Sequence, residues 1–213
     1  MNVGRPPIYC ASMSDRILGN NDAASWEAIY QADDAGWDIG AAAPPFCDLL
    51  VAAPAWLRPG RMLVPGCGAG HDAAAFAAAG FAVTAMDFAP TAVRLTREKG
   101  IHVVESNFLQ PPAALTGAFD YVLEHTCFCA IPVCDRPRYV AAARRVLKPG
   151  GLLIGLFYRF DPADVNGPPF ALSEEDLRTA FEPEFEILEL QSPARSHGKR
   201  QGRERFLRMR VTT

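Results

Sequence analysis

Apolar and polar positions alternate between two rhythms along the chain. Runs that are apolar throughout, or at every second residue, predict strands at 61–65, 82–87, 101–105, 119–124, 152–158, 184–190 and 204–211, with helical spacing between them. Strands that alternate with helices predict βαβ units and a largely parallel sheet. "APTAVRLTREKG" has Pro90 near its start and Gly100 just past its end, as a helix between 90 and 100 requires. "RPRYVAAARRVL" reads as an amphipathic helix closed by the "KPGG" of 148–151. "SEEDLRTAF" opens on Ser173 with Asp176 three residues later, a capping box. Two stretches follow neither rhythm. Residues 1–22 are expected to be a mobile segment or lid, and 159–173 a proline-rich loop at a strand's carboxyl end, where open α/β sheets bind ligands.

The 213 residues suit one well-buried domain, 1–213. Composition narrows the partners rather than the fold. With 49% apolar residues, 21% charged residues and a net charge of −3, there is no basic footprint for nucleic acid or membrane. The N-terminus lacks the apolar core of a secretion signal and no stretch is suited to span a bilayer, so a cytoplasmic protein is expected. Cys10, Cys47, Cys67, Cys127, Cys129 and Cys134 show no C-x-x-C pairing; they read as reduced, small buried hydrophobes, with no metal site.

The most informative stretch is "RMLVPGCGAGHDAAAFAAAGFAVTAMD", 61–87. A dinucleotide fingerprint needs a third glycine where this chain has His71, and that weakens a nicotinamide reading. Gly66, Gly68 and Gly70 instead allow a tight turn and a close backbone approach to a ligand at a helix N-terminus. Asp87 ends the next strand, where a carboxylate can accept the hydroxyls of a ribose.

A G-x-G-x-G turn followed by such an acid resembles class I S-adenosylmethionine-dependent methyltransferases. Four further stretches resemble thiopurine S-methyltransferases and thiol or halide methyltransferases: "SWEAIYQADDAGWDIGAAAPPF", "FDYVLEHTCFCAI", "NGPPFALSEEDL" and "GKRQGRERFLRM". The resemblance covers most of the chain from Ser25 onward. It implies a Rossmann-like α/β fold: seven strands, mostly parallel, helices on both faces and an antiparallel C-terminal strand. It also implies S-adenosyl-L-methionine as cofactor, S-adenosyl-L-homocysteine as product, and a small-molecule acceptor; oligomeric state is left open.

On that resemblance Trp26, Tyr30 and Trp37 lean over the cofactor. Tyr30 replaces a frequent tryptophan and still offers an aromatic face to a sulfonium cation. Asn107 stands where many class I enzymes have aspartate; its carbonyl can accept from an adenine amino group, with Phe108 packing on the ring. Trp26 and Trp37 read equally as core anchors, and Asp38 as a local cap. Glu124 and His125 end an apolar strand in two ionisable groups, so a polar cavity is expected there, with Glu124 towards the cofactor. His125 is the candidate catalytic base, because it titrates near neutrality; a structural histidine is the other reading. Phe128, Pro168, Pro169 and Phe170 are candidate pocket walls, and one of Arg195, Arg200 and Arg203 is placed to hold an anionic acceptor.

The chemistry demands placement more than covalent participation, since methyl transfer is an in-line displacement. A thiol is already partly thiolate at neutral pH and a halide carries no proton, so neither needs a strong base. A thiol acceptor leads. An N- or O-methyltransferase of a heterocyclic metabolite, a nicotinamide oxidoreductase and a non-catalytic binding module remain as alternatives.

Overall fold

The structure, a computed structural model, describes residues 22–159 and 168–212. The expected segment 1–22 therefore lies outside the described residues except for Asp22, as do 160–167 of the proline-rich loop. Among the described residues seven strands form one sheet: β1 (Arg61–Pro65), β2 (Ala82–Asp87), β3 (His102–Glu105), β4 (Phe119–His125), β5 (Leu147–Tyr158), β6 (Phe185–Gln191) and β7 (Glu204–Val211). Their order is β3-β2-β1-β4-β5-β7-β6. The first five run parallel, and β7 is antiparallel to both β5 and β6.

Helices α1 (Ala23–Gln31), α2 (Pro44–Ala52), α3 (His71–Ala78), α4 (Pro90–Glu98), α5 (Arg136–Val146) and α6 (Glu174–Phe181) accompany it. Pro44 and Pro90 sit in the first turns of α2 and α4, where the missing amide hydrogen costs nothing. Ser173 and Asp176 form the expected reciprocal cap on α6.

Side-chain alternation along the strands divides the core in two. Leu63, Val122, Leu153 and Leu207 pack on one face with Tyr139 of α5 and Phe181 of α6. Met62, Leu123, Ile154 and Phe206 pack on the other with Phe46 of α2, Phe76 of α3 and Val93 of α4.

One boundary departs from the sequence reading by more than a residue. The "KPGG" of 148–151 does not separate helix from strand, because β5 already starts at Leu147, paired with Phe119. Gly150 takes φ 72°, and pairing resumes at Leu152 opposite Tyr121, so the glycines form an irregularity within the strand.

No described helix is long and apolar enough to cross a membrane.

Candidate active site

In the sheet order, β1 lies between β2 and β4, and the chain crosses from one side to the other at this point. A crevice opens there beyond the carboxyl ends of the strands. It holds a cavity of about 570 Å³, within the size range of small-molecule sites.

The β1–α3 turn makes one wall. Gly66, Gly68 and Gly70 have φ of 55°, 54° and 75°, values that an L side chain adopts only with strain. Space adds a second constraint that differs along the turn. A Cβ at Gly66 would lie 2.6 Å from the Cys127 Sγ, and one at Gly70 would lie 2.5 Å from the Thr96 Oγ1. At Gly68 the nearest atom would be the Tyr30 hydroxyl, 3.3 Å away on the cavity side. Gly66 and Gly68 line the cavity, and Gly70 does not.

Asp87, at the end of β2, is folded onto this turn. Its Oδ2 accepts from the Gly68 amide at 3.0 Å, and its Oδ1 from the Phe88 and Ala89 amides at 2.8 and 3.0 Å. A carboxylate accepts about four hydrogen bonds, so among the described residues roughly one site, on Oδ2, stays open. Burial pushes the Asp87 carboxyl above the usual carboxylate range against these three amides. The Asn107 carbonyl accepts from the Leu109 amide at 2.8 Å, an Asx turn that turns the residue into the cavity wall beside Phe108.

Three rings cover the crevice. Trp37 meets Trp26 and Tyr30 edge-on, with centroids 5.2 and 5.5 Å apart, and all three line the cavity. Burial pushes the Tyr30 hydroxyl well above its ordinary range, so it stays protonated. Helix α1, which carries Trp26 and Tyr30, is tied down by a contact that sequence reasoning missed. Glu27 accepts from the Thr91 amide at 2.8 Å and from its hydroxyl at 2.7 Å, capping the first turn of α4 from another helix. The pair is 64 residues apart, and nothing local signals it.

The other side of the cavity comes from the segment after β4 (Cys127, Cys129, Ile131), from Tyr158, from Pro168 and Pro169, and from Arg200. Among the described residues two of the five N–H donors of the guanidinium make hydrogen bonds: Nη2 donates to the Trp37 carbonyl at 2.5 Å and Nη1 to the His125 Nε2 at 2.7 Å, while the Glu204 carboxylate lies 3.6 Å from Nη1 as a buried ion-pair partner. Of the three arginines singled out in the sequence, Arg200 alone lines the cavity; Arg195 forms a fork with Asp48 on the surface.

Glu124 and His125 depart from expectation. Neither lines the cavity. Consecutive strand residues point to opposite faces, so the pair is split between the two halves of the core. Glu124 is fully buried; its Oε1 accepts from the Phe128 amide at 2.8 Å and its Oε2 from the Tyr139 hydroxyl. That leaves it committed to holding the β4–α5 connection rather than facing a cofactor. Burial lifts its pKa to about 7. His125 faces α2 and α3 instead. Its Nδ1 lies 2.6 Å from the Asp72 Oδ2, and its ring packs edge-on against Phe46 at 5.7 Å.

Phe128 and Phe170 are likewise not cavity walls: Phe128 is wholly buried in the core, and Phe170 donates its amide to the Cys129 carbonyl. The cysteine reading is also only partly met. Cys129 is buried, but Cys134 is exposed, while Cys67 and Cys127 are partly buried. Burial pushes the Cys67 and Cys129 thiols up to about 12, and Cys127 is raised as well.

Comparison with known proteins gives this crevice a context. The family model of thiopurine S-methyltransferase matches residues 21–209. The chain belongs to that family. It is 30% identical over 208 residues to a probable thiol methyltransferase 2 of Arabidopsis thaliana, covering 93% of this chain and 89% of that protein. With thiocyanate methyltransferase 1 of Brassica oleracea it shares 29% over 195 residues, covering 87% and 84%. Among solved structures, a Burkholderia thailandensis 1,6-didemethyltoxoflavin-N1-methyltransferase with bound S-adenosylhomocysteine shares the fold. Its TM-score is 0.72 at 22% identity, over 90% of this chain and 87% of that one.

This enzyme is accordingly an S-adenosylmethionine-dependent methyltransferase of small molecules. Its crevice fits that cofactor: a buried carboxylate with an open acceptor site, a turn bare of side chains at Gly68, and three aromatic rings converge on one cavity. The fingerprint mismatch at His71 falls into place too. His71 opens α3 and lies 3.2 Å from Asp38, whose Oδ1 also caps Gly40.

Proposed function

We propose that this methyltransferase acts on a small thiol held as its thiolate, extending to other small soft anions. The observation that carries the reading is the composition of the crevice. The β1–β3 side presents the carboxylate of Asp87, while the β4–β5 side presents the guanidinium of Arg200 among thiol, aromatic and proline surfaces. A cationic donor suits the first and an anionic acceptor the second. The printed names of the two plant relatives, a thiol and a thiocyanate methyltransferase, agree with such an acceptor.

In this reading Asp87 receives the sugar of S-adenosylmethionine through its open acceptor site. Asn107 and Phe108 bound the adenine, and Trp26, Tyr30 and Trp37 face the sulfonium end. The glycine turn approaches the ligand at the start of α3. The cofactor supplies an electrophilic methyl group on sulfur. This chain's residues bind and orient the two reactants, exclude water with the aromatic cover, and need no base for an acceptor that arrives as an anion. Arg200 holds the anion with its remaining N–H donors. Anion and cation combine into neutral products, so the low-polarity walls of Ile131, Tyr158, Pro168 and Pro169 favour the reaction. The thiols lining the cavity suit a reducing, cytoplasmic setting.

The test is a panel of small thiols, thiocyanate, iodide and heteroaromatic N- and O-nucleophiles, with methylated products identified by mass spectrometry. Turnover confined to the nitrogen or oxygen acceptors would reject the thiol assignment.

A further inference from the structure

His125 has a different partner on each ring nitrogen, and their chemistry decides which nitrogen carries the hydrogen when the ring is neutral. Asp72, at the start of α3, lies 2.6 Å from Nδ1 and also accepts from the Ala43 amide at 2.7 Å. Arg200, from the turn Gly198–Arg200, lies 2.7 Å from Nε2. A guanidinium has donors and no acceptor, and does not lose its proton in proteins. The Arg200 contact is therefore a hydrogen bond only when Nε2 carries a lone pair. Asp72 as a carboxylate accepts, so Nδ1 carries the hydrogen. Whenever the ring is neutral, both ends specify the same tautomer.

We propose that His125 is a positioning residue: fixed as the Nδ1–H tautomer by Asp72, it holds the Arg200 guanidinium through Nε2, while the Trp37 carbonyl holds it through Nη2. The inference rests on the reading above that Arg200 meets the acceptor. It assigns His125 an accepting role in place of proton abstraction, and it links the glycine-turn helix, strand β4, the aromatic cover and the acceptor wall through a single guanidinium.

A proton on Nε2 would put two hydrogens face to face and drive Arg200 off. The groups that bear on this proton are few. Asp72 on α3, the Glu204 carboxylate on β7, 3.9 Å from Nε2, and the neighbouring Glu124 carboxylate favour it, and Arg200 does not; Phe46 on α2 flanks the ring edge-on without a charge. Burial opposes the ring's charge, but the carboxylates outweigh it and raise the His125 pKa to about 9. Arg200 is thus held above that pH and loosened below it. Acceptor recognition strengthens as pH rises through the mildly alkaline range.

Thiocyanate is the acceptor of choice for the test, because it is an anion throughout this range and has no proton to give. With it, His125→Ala raises KM about tenfold or more, the loss expected for one hydrogen bond to a charged group, while kcat changes little. His125→Gln offers an oxygen to Arg200 and an amide to Asp72. It recovers most of the lost KM and flattens its pH dependence. A thiocyanate KM untouched in His125→Ala, alongside a lost kcat for a thiol, would make the ring a base and overturn the proposal.

A second measurement needs no turnover. Nitrogen-15 spectra of the His125 ring should show the Nδ1–H tautomer when neutral, and a higher ring pKa in Arg200→Met. An Nε2–H tautomer, or a pKa indifferent to Arg200, refutes the anchor even if the acceptor assignment stands. Absence of any turnover on thiols or thiocyanate, with these spectra as expected, removes the acceptor assignment and leaves the anchor intact.

Discussion

Alanine at Gly70 and at Gly68 separates two properties of the turn. Both positions have positive φ, 75° and 54°, so a side chain at either costs about 1–2 kcal/mol of backbone strain. The space around them differs. A methyl group at Gly70 would meet the buried Thr96 at 2.5 Å to Oγ1, 2.8 Å to Cγ2 and 3.0 Å to Cβ. Thr96 cannot swing away freely, because its hydroxyl donates to the Gly68 carbonyl at 2.9 Å. Overpacking of this kind adds about 1–3 kcal/mol. Gly70→Ala should therefore lose about 2–5 kcal/mol, or about 5–15 °C in Tm for a chain of this length. Gly68→Ala should lose only the strain, about 1–2 kcal/mol, since its new methyl group faces the cavity near the Tyr30 hydroxyl at 3.3 Å. Its damage should appear as weakened S-adenosylmethionine binding. Urea unfolding and calorimetric titration of both variants, with Thr96→Ala as a second background, measure each quantity. In that background the cost of Gly70→Ala should shrink by the overpacking share, a coupling of about 1–3 kcal/mol. Equal destabilisation at the two glycines, or no coupling to Thr96, would refute the packing account.

Three further outcomes follow from the same contacts. Burial raises the Glu124 carboxyl from 4.5 to about 7, so the folded state binds the extra proton between those values. Stability should then fall by about 3 kcal/mol as pH rises through that window. Glu124→Gln should abolish that slope, and an unchanged slope in urea unfolding would acquit the residue. Asp87→Asn removes a charged acceptor and should weaken S-adenosylmethionine binding by about 10- to 100-fold in calorimetric titration; unaltered affinity would exclude a sugar contact. Finally, burial raises the thiols of Cys129, which lines the cavity, and of Cys67, on the glycine turn, to about 12, and so keeps them in the unreactive form. Intact mass after incubation with the cofactor alone should show no added methyl group, and methylation of either thiol would contradict this protection.

The strands were legible because each rests on a local pattern. β1, β2 and β7 lie where the apolar rhythm puts them, and β3, β4 and β6 differ by one residue at their ends. The glycine turn, Asp87 and the aromatic residues of the cover were legible for a similar reason, since residue type and spacing already state their local geometry. That Glu124 and His125 lie off the cavity was not legible, because sequence shows that two ionisable groups end a strand, but not which way each points relative to the helices above and below it.

The sequence by itself determined the order of strands and helices, the strained turn and the presence of an acid after β2, because backbone preference and side-chain periodicity act over a few residues. Tertiary structure alone decided the partners of His125. Asp72 is 53 residues before it and Arg200 is 75 after it, and they meet only because β4 lies beside β1 and β5 in the sheet. Hydrogen bonds between distant segments depend on how the strands align and on which face each side chain leaves. Neither is encoded in the spacing of residues along the chain.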